Sequence, residues 1–261
     1  MREQLERQPI VEVAGVVGPR GPSGGQSRGQ SDWTFWMTLE LWRGPDGRMR
    51  RDCLSVRKWV DHDTLEKLMD TFSAFEVVKL RVHLAESSNG STPEGLLLSP
   101  LGPADNDTEL QDYSRKLQEP VTLDHPRFGR FTLDRRMGWF EANATWGTDS
   151  IRLSLSTESE AEAGALLQVA ERVWDERKNW DRQVRMKAAA ELLDLRNEVW
   201  REEGDVVIDA TEFGARMRLT SIGMSDGGSF EFWFDDGDLF WGHSICVVCD
   251  ENGPKRASME G

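Results

Sequence analysis

The chain has 261 residues, of which 38% are hydrophobic, and carries a net charge of −14 with a pI near 4.8. That is enough apolar material for one or two cored domains, and its acidity repels nucleic acid and anionic membranes on average. No apolar run approaches the roughly 20 residues of a membrane-spanning helix, and the three cysteines make no regular disulfide framework.

The first ten residues lack the apolar core of a secretory signal, so a cytoplasmic location is expected. Charge is unevenly spread: residues 1–103 carry a net of −1 and residues 104–261 a net of −13. Such a shift predicts two units.

Residues 10–17 are β-branched and apolar and read as a strand, followed by a loop over residues 21–29 that is flexible by composition. Residues 34–42 alternate. Phe35, Met37, Leu39 and Leu41 are expected on one face, with Trp36, Thr38, Glu40 and Trp42 on the other. A turn at residues 44–47 leads into a strand over residues 50–57. The period then changes. Asp61 or Asp63 caps a helix carrying Leu65, Leu68, Met69 and Phe72, and strands return at residues 77–84 and 96–98. Three strands, a helix and two strands match a small OB-type barrel over residues 1–103. Residues 104–119, rich in Asp and turn formers at the start, are expected to be a linker with a short helix.

The second unit spans residues 120–261. Residues 128–133, 139–146 and 151–155 read as strands. A helix from about residue 158 to 177 follows, with its stripe at Ala163, Leu166, Leu167, Ala170, Val173 and Trp174. A break at Asn179 or Asp181 starts a second helix carrying Val184, Ala188, Leu192, Leu195 and Val199. Asp209 and Glu212 form a capping box for a short third helix. A hairpin pattern, a turn at residues 235–238, a long strand over residues 242–250 and a last one at residues 257–260 complete a mostly antiparallel sheet with helices inserted between its halves. The fold class is α+β.

Several stretches of this second unit carry a resemblance. They are Phe128-Gly-Arg-Phe-Thr-Leu-Asp-Arg135, Trp139-Phe140, Trp146, Leu195-Arg-Asn-Glu-Val-Trp200, Thr211-Glu-Phe213, and the most specific, Asp235-Asp-Gly-Asp-Leu-Phe-Trp-Gly-His-Ser-Ile245. Residues 120–261 resemble DUF2262, a bacterial family of domains of unknown function. The resemblance implies no activity, and it does not extend to residues 1–119.

Asp235, Asp236, Asp238 and His243 form the densest polar cluster. Three carboxylates around Gly237 could hold a cation, with His243 as base or ligand. The same residues also make an ordinary hairpin turn, in which Asp and Gly supply the backbone geometry. Cys246 and Cys249 have CxxC spacing but lie in a β-branched run, which sends their thiols to opposite faces. No second ligand pair completes a zinc site, so they read as structural. On the barrel, Trp36, Trp42, Arg51 and Arg57 form a candidate binding face, since aromatics interleaved with Arg can stack single-stranded nucleic acid. Glu40 between the tryptophans opposes that reading. Trp174, Trp180 and Trp200 sit at helical spacing and are expected in the core. Glu141, Asp149 and Glu212 read as solvated carboxylates. No cofactor motif is present and no metal centre is expected.

Three functions remain. The favoured one is a non-catalytic interaction protein that attracts a basic protein partner, with an immunity-type role as its specific form. The alternatives are single-strand binding through the barrel, and an enzyme or metal site at Asp235–His243.

Overall fold

The computed structural model describes residues 2–27, 29, 31–86, 92–201 and 204–261. The chain divides into two compact units, Met1–Glu119 and Pro120–Gly261.

In the first unit, helix α1 (Arg2–Glu6) precedes strands β1 (Ile10–Val17), β2 (Ser23–Gly25), β3 (Trp33–Arg43), β4 (Met49–Arg50) and β5 (Leu54–Val60). Helix α2 (His62–Thr71), β6 (Val77–Ala85), β7 (Glu94–Pro103) and α3 (Thr108–Gln118) follow. Five strands close in the order β1-β3-β5-β7-β6 and back to β1, with only β5–β7 parallel. This is the OB-type order that the alternation of strands and one helix predicts. Helix α2 starts where the Asp61 carboxylate accepts the Thr64 N–H at 2.7 Å, and it buries Leu65 and Leu68 in the barrel core. The loop at residues 21–29 holds the short strand β2; its Arg28 lies outside the described residues.

One irregularity corrects the expected faces of β3. Val16 pairs with Leu41 but Val17 pairs with Leu39, so Glu40 is an extra residue, a β-bulge. Beyond it the alternation inverts. Trp42 turns into the barrel and is fully buried, while Leu41 turns outward beneath α3. The indole of Trp42 donates to the Asp52 carbonyl at 2.7 Å. Gly15 makes the room, since a Cβ there would lie 2.8 Å from Leu39 and 2.9 Å from Trp42.

Residues 104–119 are a second correction. They are not a free linker: α3 packs Leu110, Tyr113 and Leu117 against Val16, Leu41 and Val77 on the outside of the barrel. Arg43 clamps its start, 2.7 Å from Asp107 and 2.8 Å from Glu109. The short helix itself is as expected; what differs is that its three apolar residues at 3–4 spacing dock on the barrel.

The second unit begins with β8 (Thr122–His125), β9 (Gly129–Asp134), β10 (Trp139–Trp146) and β11 (Asp149–Leu155). Helices α4 (Glu160–Asp175), α5 (Arg177–Glu198) and α6 (Ala210–Arg216) come next. Strands β12 (Arg218–Met224), β13 (Phe230–Asp235), β14 (Ser244–Asp250) and β15 (Gly253–Glu260) complete the unit. All eight strands form one sheet, ordered β15 to β8 in reverse sequence. Its one parallel pair is β11–β12. Parallel neighbours need a crossover, and the three helices supply it, packing on the face that carries Phe140, Leu153, Phe232 and Val247. The break between α4 and α5 falls at Glu176, earlier than expected. Asn179 and Asp181 continue α5, where Asp181 pairs with Arg185 at 3.0 Å instead of capping.

Helix α5 also guards the edge of the sheet. The Glu191 carboxylate accepts the Ala257 N–H of β15 at 2.6 Å and sits 2.6 Å from the Lys187 ammonium. Lys187, with help from that N–H, holds the Glu191 carboxyl below its ordinary 4.5.

Two outcomes follow from these contacts. In urea denaturation, Trp42→Ala lowers stability by about 3–5 kcal/mol, whereas Trp36→Ala costs under about 1 kcal/mol. Glu191→Gln is less stable than wild type at neutral pH. Because the folded-state pKa is depressed, that difference is fully present above 4.5. It fades as pH falls through the folded-state value. A difference that grows with acid would contradict this role for Glu191.

Candidate functional site

The turn between β13 and β14 is organised by one carboxylate. Asp236 is 2% exposed. Its Oδ2 accepts the N–H of Phe240 at 2.5 Å and of Gly242 at 3.2 Å, and its Oδ1 accepts that of Asp238 at 3.3 Å. A buried carboxylate is tolerable only with such partners. The loop it holds is strained, since Asp238 and Trp241 both adopt positive φ, 66° and 56°. Each such residue costs about 1–3 kcal/mol, which the three charged hydrogen bonds offset. Gly237 is required here, because it too has positive φ and a Cβ would collide with the Arg216 carbonyl oxygen.

The sequence placed Asp235, Asp236, Asp238 and His243 in one cluster; the structure separates their environments. Asp235 and Asp238 are exposed, and Asp235 caps the N–H of Gly237 at 3.0 Å. His243 is half-buried, with Nδ1 2.7 Å from the Phe240 carbonyl oxygen. Asp236 spends its oxygens on the backbone. The arrangement is one that fixes a loop shape.

What the loop presents is aromatic. Leu239 and Phe240 point into the core, and Trp241 is 61% exposed. Trp200, just beyond α5, is the hub: its ring lies 4.9 Å from Trp241, 5.1 Å from His243 and 5.9 Å from Phe240. Beside it in the chain Val199 is 66% exposed, and in the segment that follows Val206 is 79% and Val207 58% exposed. The segment bearing these valines is pinned. Arg196, buried, pairs with Asp205 at 3.1 Å and donates to the Val206 carbonyl at 3.4 Å. Asn197 exchanges hydrogen bonds with the backbone of Ile208 at 2.9 and 3.2 Å. Glu198, Asp205 and Asp238, close to these residues in the chain, are exposed, as is Arg201 next to Trp200. Sequence reading missed this face. Its signal was Leu-Phe-Trp in a turn and Val-Val after Asp205, apolar runs where solvated loops carry few.

The barrel face comes apart. Trp36 and Arg57 are register partners on its outer side, but Arg57 is paired with Glu94 at 2.7 Å. Arg51 is exposed in the turn between β4 and β5, and Trp42 is inside. Elsewhere, burial is the main cause that pushes the Cys246 and Cys249 thiols up to about 12, with Glu231 adding to it at Cys246. Cys249 faces the core and Cys246 the opposite face of the sheet. Trp174 and Trp180 are buried as expected. Glu141 and Asp149 lie toward opposite ends of the β10–β11 hairpin, and Glu212 pairs with Arg216 at 2.9 Å. Among the described residues, His62, Asp63 and Glu66 bring ligand atoms within 4.8 Å of one another, all exposed on the first turn of α2. No helix among the described residues is long and apolar enough to cross a membrane.

Comparison with known proteins bears on the second unit first. Residues 125–259 match the family described as an uncharacterised protein conserved in bacteria, DUF2262, over just over half the chain. The chain belongs to the DUF2262 family. The DUF2262 match contains the Asp236 loop, Trp200 and the pinned valines. Residues 1–117 match a second domain of unknown function, DUF7021, whose extent takes in all but the last residue of α3. No curated protein matches the chain. Among solved structures, a deletion mutant of the single-stranded DNA binding protein from Thermus aquaticus is similar at 9% identity and a TM-score of 0.24, covering 97% of this chain and 90% of that one. At that TM-score the likeness carries no argument about fold or ligand.

The role of Asp236 is directly measurable. Asp236→Ala strands buried N–H groups and is expected to cost about 2–3 kcal/mol in chemical denaturation. Asp235→Asn and Asp238→Asn stay within about 0.5 kcal/mol of wild type. Equal effects from all three would mean that the loop is not built on Asp236.

Proposed function

We infer that this protein is a non-catalytic binding protein whose DUF2262 unit docks a basic protein partner through the face around Trp241. The observation that carries the reading is an exposed tryptophan held at positive φ by a buried carboxylate. Strain retained in this way is kept where it serves a function. Exposed apolar residues that cluster mark interaction surfaces, and Trp is the residue most enriched among binding hot spots. The pinning of Val206 and Val207 by Arg196 and Asn197 lowers the ordering cost of association.

The sign of the partner follows from the surroundings. Exposed Glu198 and Asp238 stand beside the patch residues against one exposed arginine, Arg201, and residues 120–261 carry 17 Lys+Arg and 27 Asp+Glu, a net of −10. An apolar centre within a charged rim is the usual anatomy of a protein interface, and an acidic rim steers a basic surface toward it. An immunity-type antidote to a basic toxin is one protein of this description.

The test is retention of a partner from bacterial lysate on the immobilised full chain. A single basic protein is expected to stay bound at physiological salt. Trp241→Ala is expected to weaken it by about 2 kcal/mol or more, while Trp36→Ala on the barrel leaves it unchanged. A partner that binds Trp241→Ala as tightly as wild type would place the interface elsewhere. Retention that vanishes with modest salt would reduce the attraction to bulk charge.

A further inference from the structure

A groove on the helical side of the second unit, apart from the aromatic face in its residues, has its own chemistry. It is an open groove of about 520 Å³ between α5 and α6, lined by Arg182, Arg185, Met186, Ala210, Ala215 and Met217 among others. That volume falls within the roughly 300–1,000 Å³ of small-molecule sites. Arg182, Arg185 and Met186 share one face of α5 by their spacing of three and four. The groove's lining therefore combines guanidinium groups with apolar side chains.

The two guanidinium groups are in different states. Arg185 is committed. Its Nε donates to Asp181 at 3.0 Å, its Nη1 donates to the Gly214 and Met217 carbonyls at 2.6 Å each, and it lies 5.3 Å over the Phe234 ring. Those bonds tie α5 to the end of α6 and fix the groove's width. Arg182 is exposed and donates through Nη2 to the Asn179 side-chain oxygen at 2.9 Å. Among the described residues it makes no ion pair, and it is part of the groove's lining. A guanidinium in that state selects a carboxylate, which it can bind through two parallel hydrogen bonds. Met186, exposed and unbranched, gives the groove an adaptable apolar wall.

We propose that the α5–α6 groove binds a small anionic amphiphile, a carboxylate on an aliphatic or aromatic body. The carboxylate sits on Arg182 and the body lies along Met186, Ala215 and Met217. Charge selects against the amine or alcohol of the same body. The site is independent of the protein-docking reading, since it shares no residue with the Trp241 face.

The experiment is calorimetric titration of the full chain with octanoate and, separately, with octanol. Octanoate is expected to bind at one site per chain, and octanol about tenfold more weakly or not at all. Arg182→Glu is expected to weaken octanoate at least about tenfold, and Arg182→Lys, which keeps the charge but loses the fork, to fall between. Trp241→Ala leaves octanoate binding unchanged. Each variant is first shown to melt like wild type, and exposed Arg182 makes that the expected result. No octanoate binding, equal binding by Arg182→Glu, or octanol binding as tightly as octanoate would each overturn the proposal. Loss confined to Trp241→Ala would also overturn it, by moving the ligand to the aromatic face, while leaving the docking reading intact.

Discussion

Strands β11 and β12 lie side by side and run in the same direction, and much of the second unit follows from that pairing. Parallel neighbours cannot be joined by a tight turn. The chain must leave the sheet after Leu155 and return at Arg218, and it does so through α4, α5 and α6. These helices bury one face of the sheet around Phe140, Leu153, Phe232 and Val247. The same crossover carries Trp200 to the end of the sheet where β13 turns into β14. The aromatic face is therefore a meeting of two parts of the chain that are far apart in sequence. Arg196 and Asn197 on α5 hold one part, and Asp236 holds the other.

The Asp236 loop shows how a polar residue can serve an apolar surface. A carboxylate sealed from water is costly unless its oxygens are occupied. Here backbone N–H groups occupy them, and in exchange the loop adopts angles that Asp238 and Trp241 would otherwise avoid. A dense cluster of Asp and His in a sequence invites a metal or catalytic reading. Here Asp235, Asp236 and His243 hydrogen-bond the backbone of the turn, and the indole of Trp241 is exposed beside them.

The barrel makes the complementary point. One extra residue at Glu40 moves Trp42 from the solvent side to the interior and Leu41 the other way. The binding face expected from alternation loses a member to the core, while Arg57 is neutralised by Glu94. The displaced Leu41 then becomes the seat of α3, which turns a presumed linker into a part of the first unit. A single bulge thus decides both the surface chemistry and the boundary of that unit.

The sequence by itself determined the order and kind of most elements. Alternation in residues 34–42, the helical spacing of Leu65 and Leu68, and the capping box at Asp209, whose carboxylate accepts the Glu212 N–H at 2.8 Å, are local patterns. They depend on backbone sterics within a few residues, and they yielded an OB-type barrel followed by a mostly antiparallel α+β unit. It also placed Cys246 and Cys249 on opposite faces of one strand. What tertiary structure decided was which side chains meet water. Trp42 depends on how β3 registers against β1, Asp236 on three N–H groups being brought around it, and Trp241 on a hub supplied by Trp200 from across the fold. Burial is a sum over contacts between residues distant in sequence, and no local period encodes it.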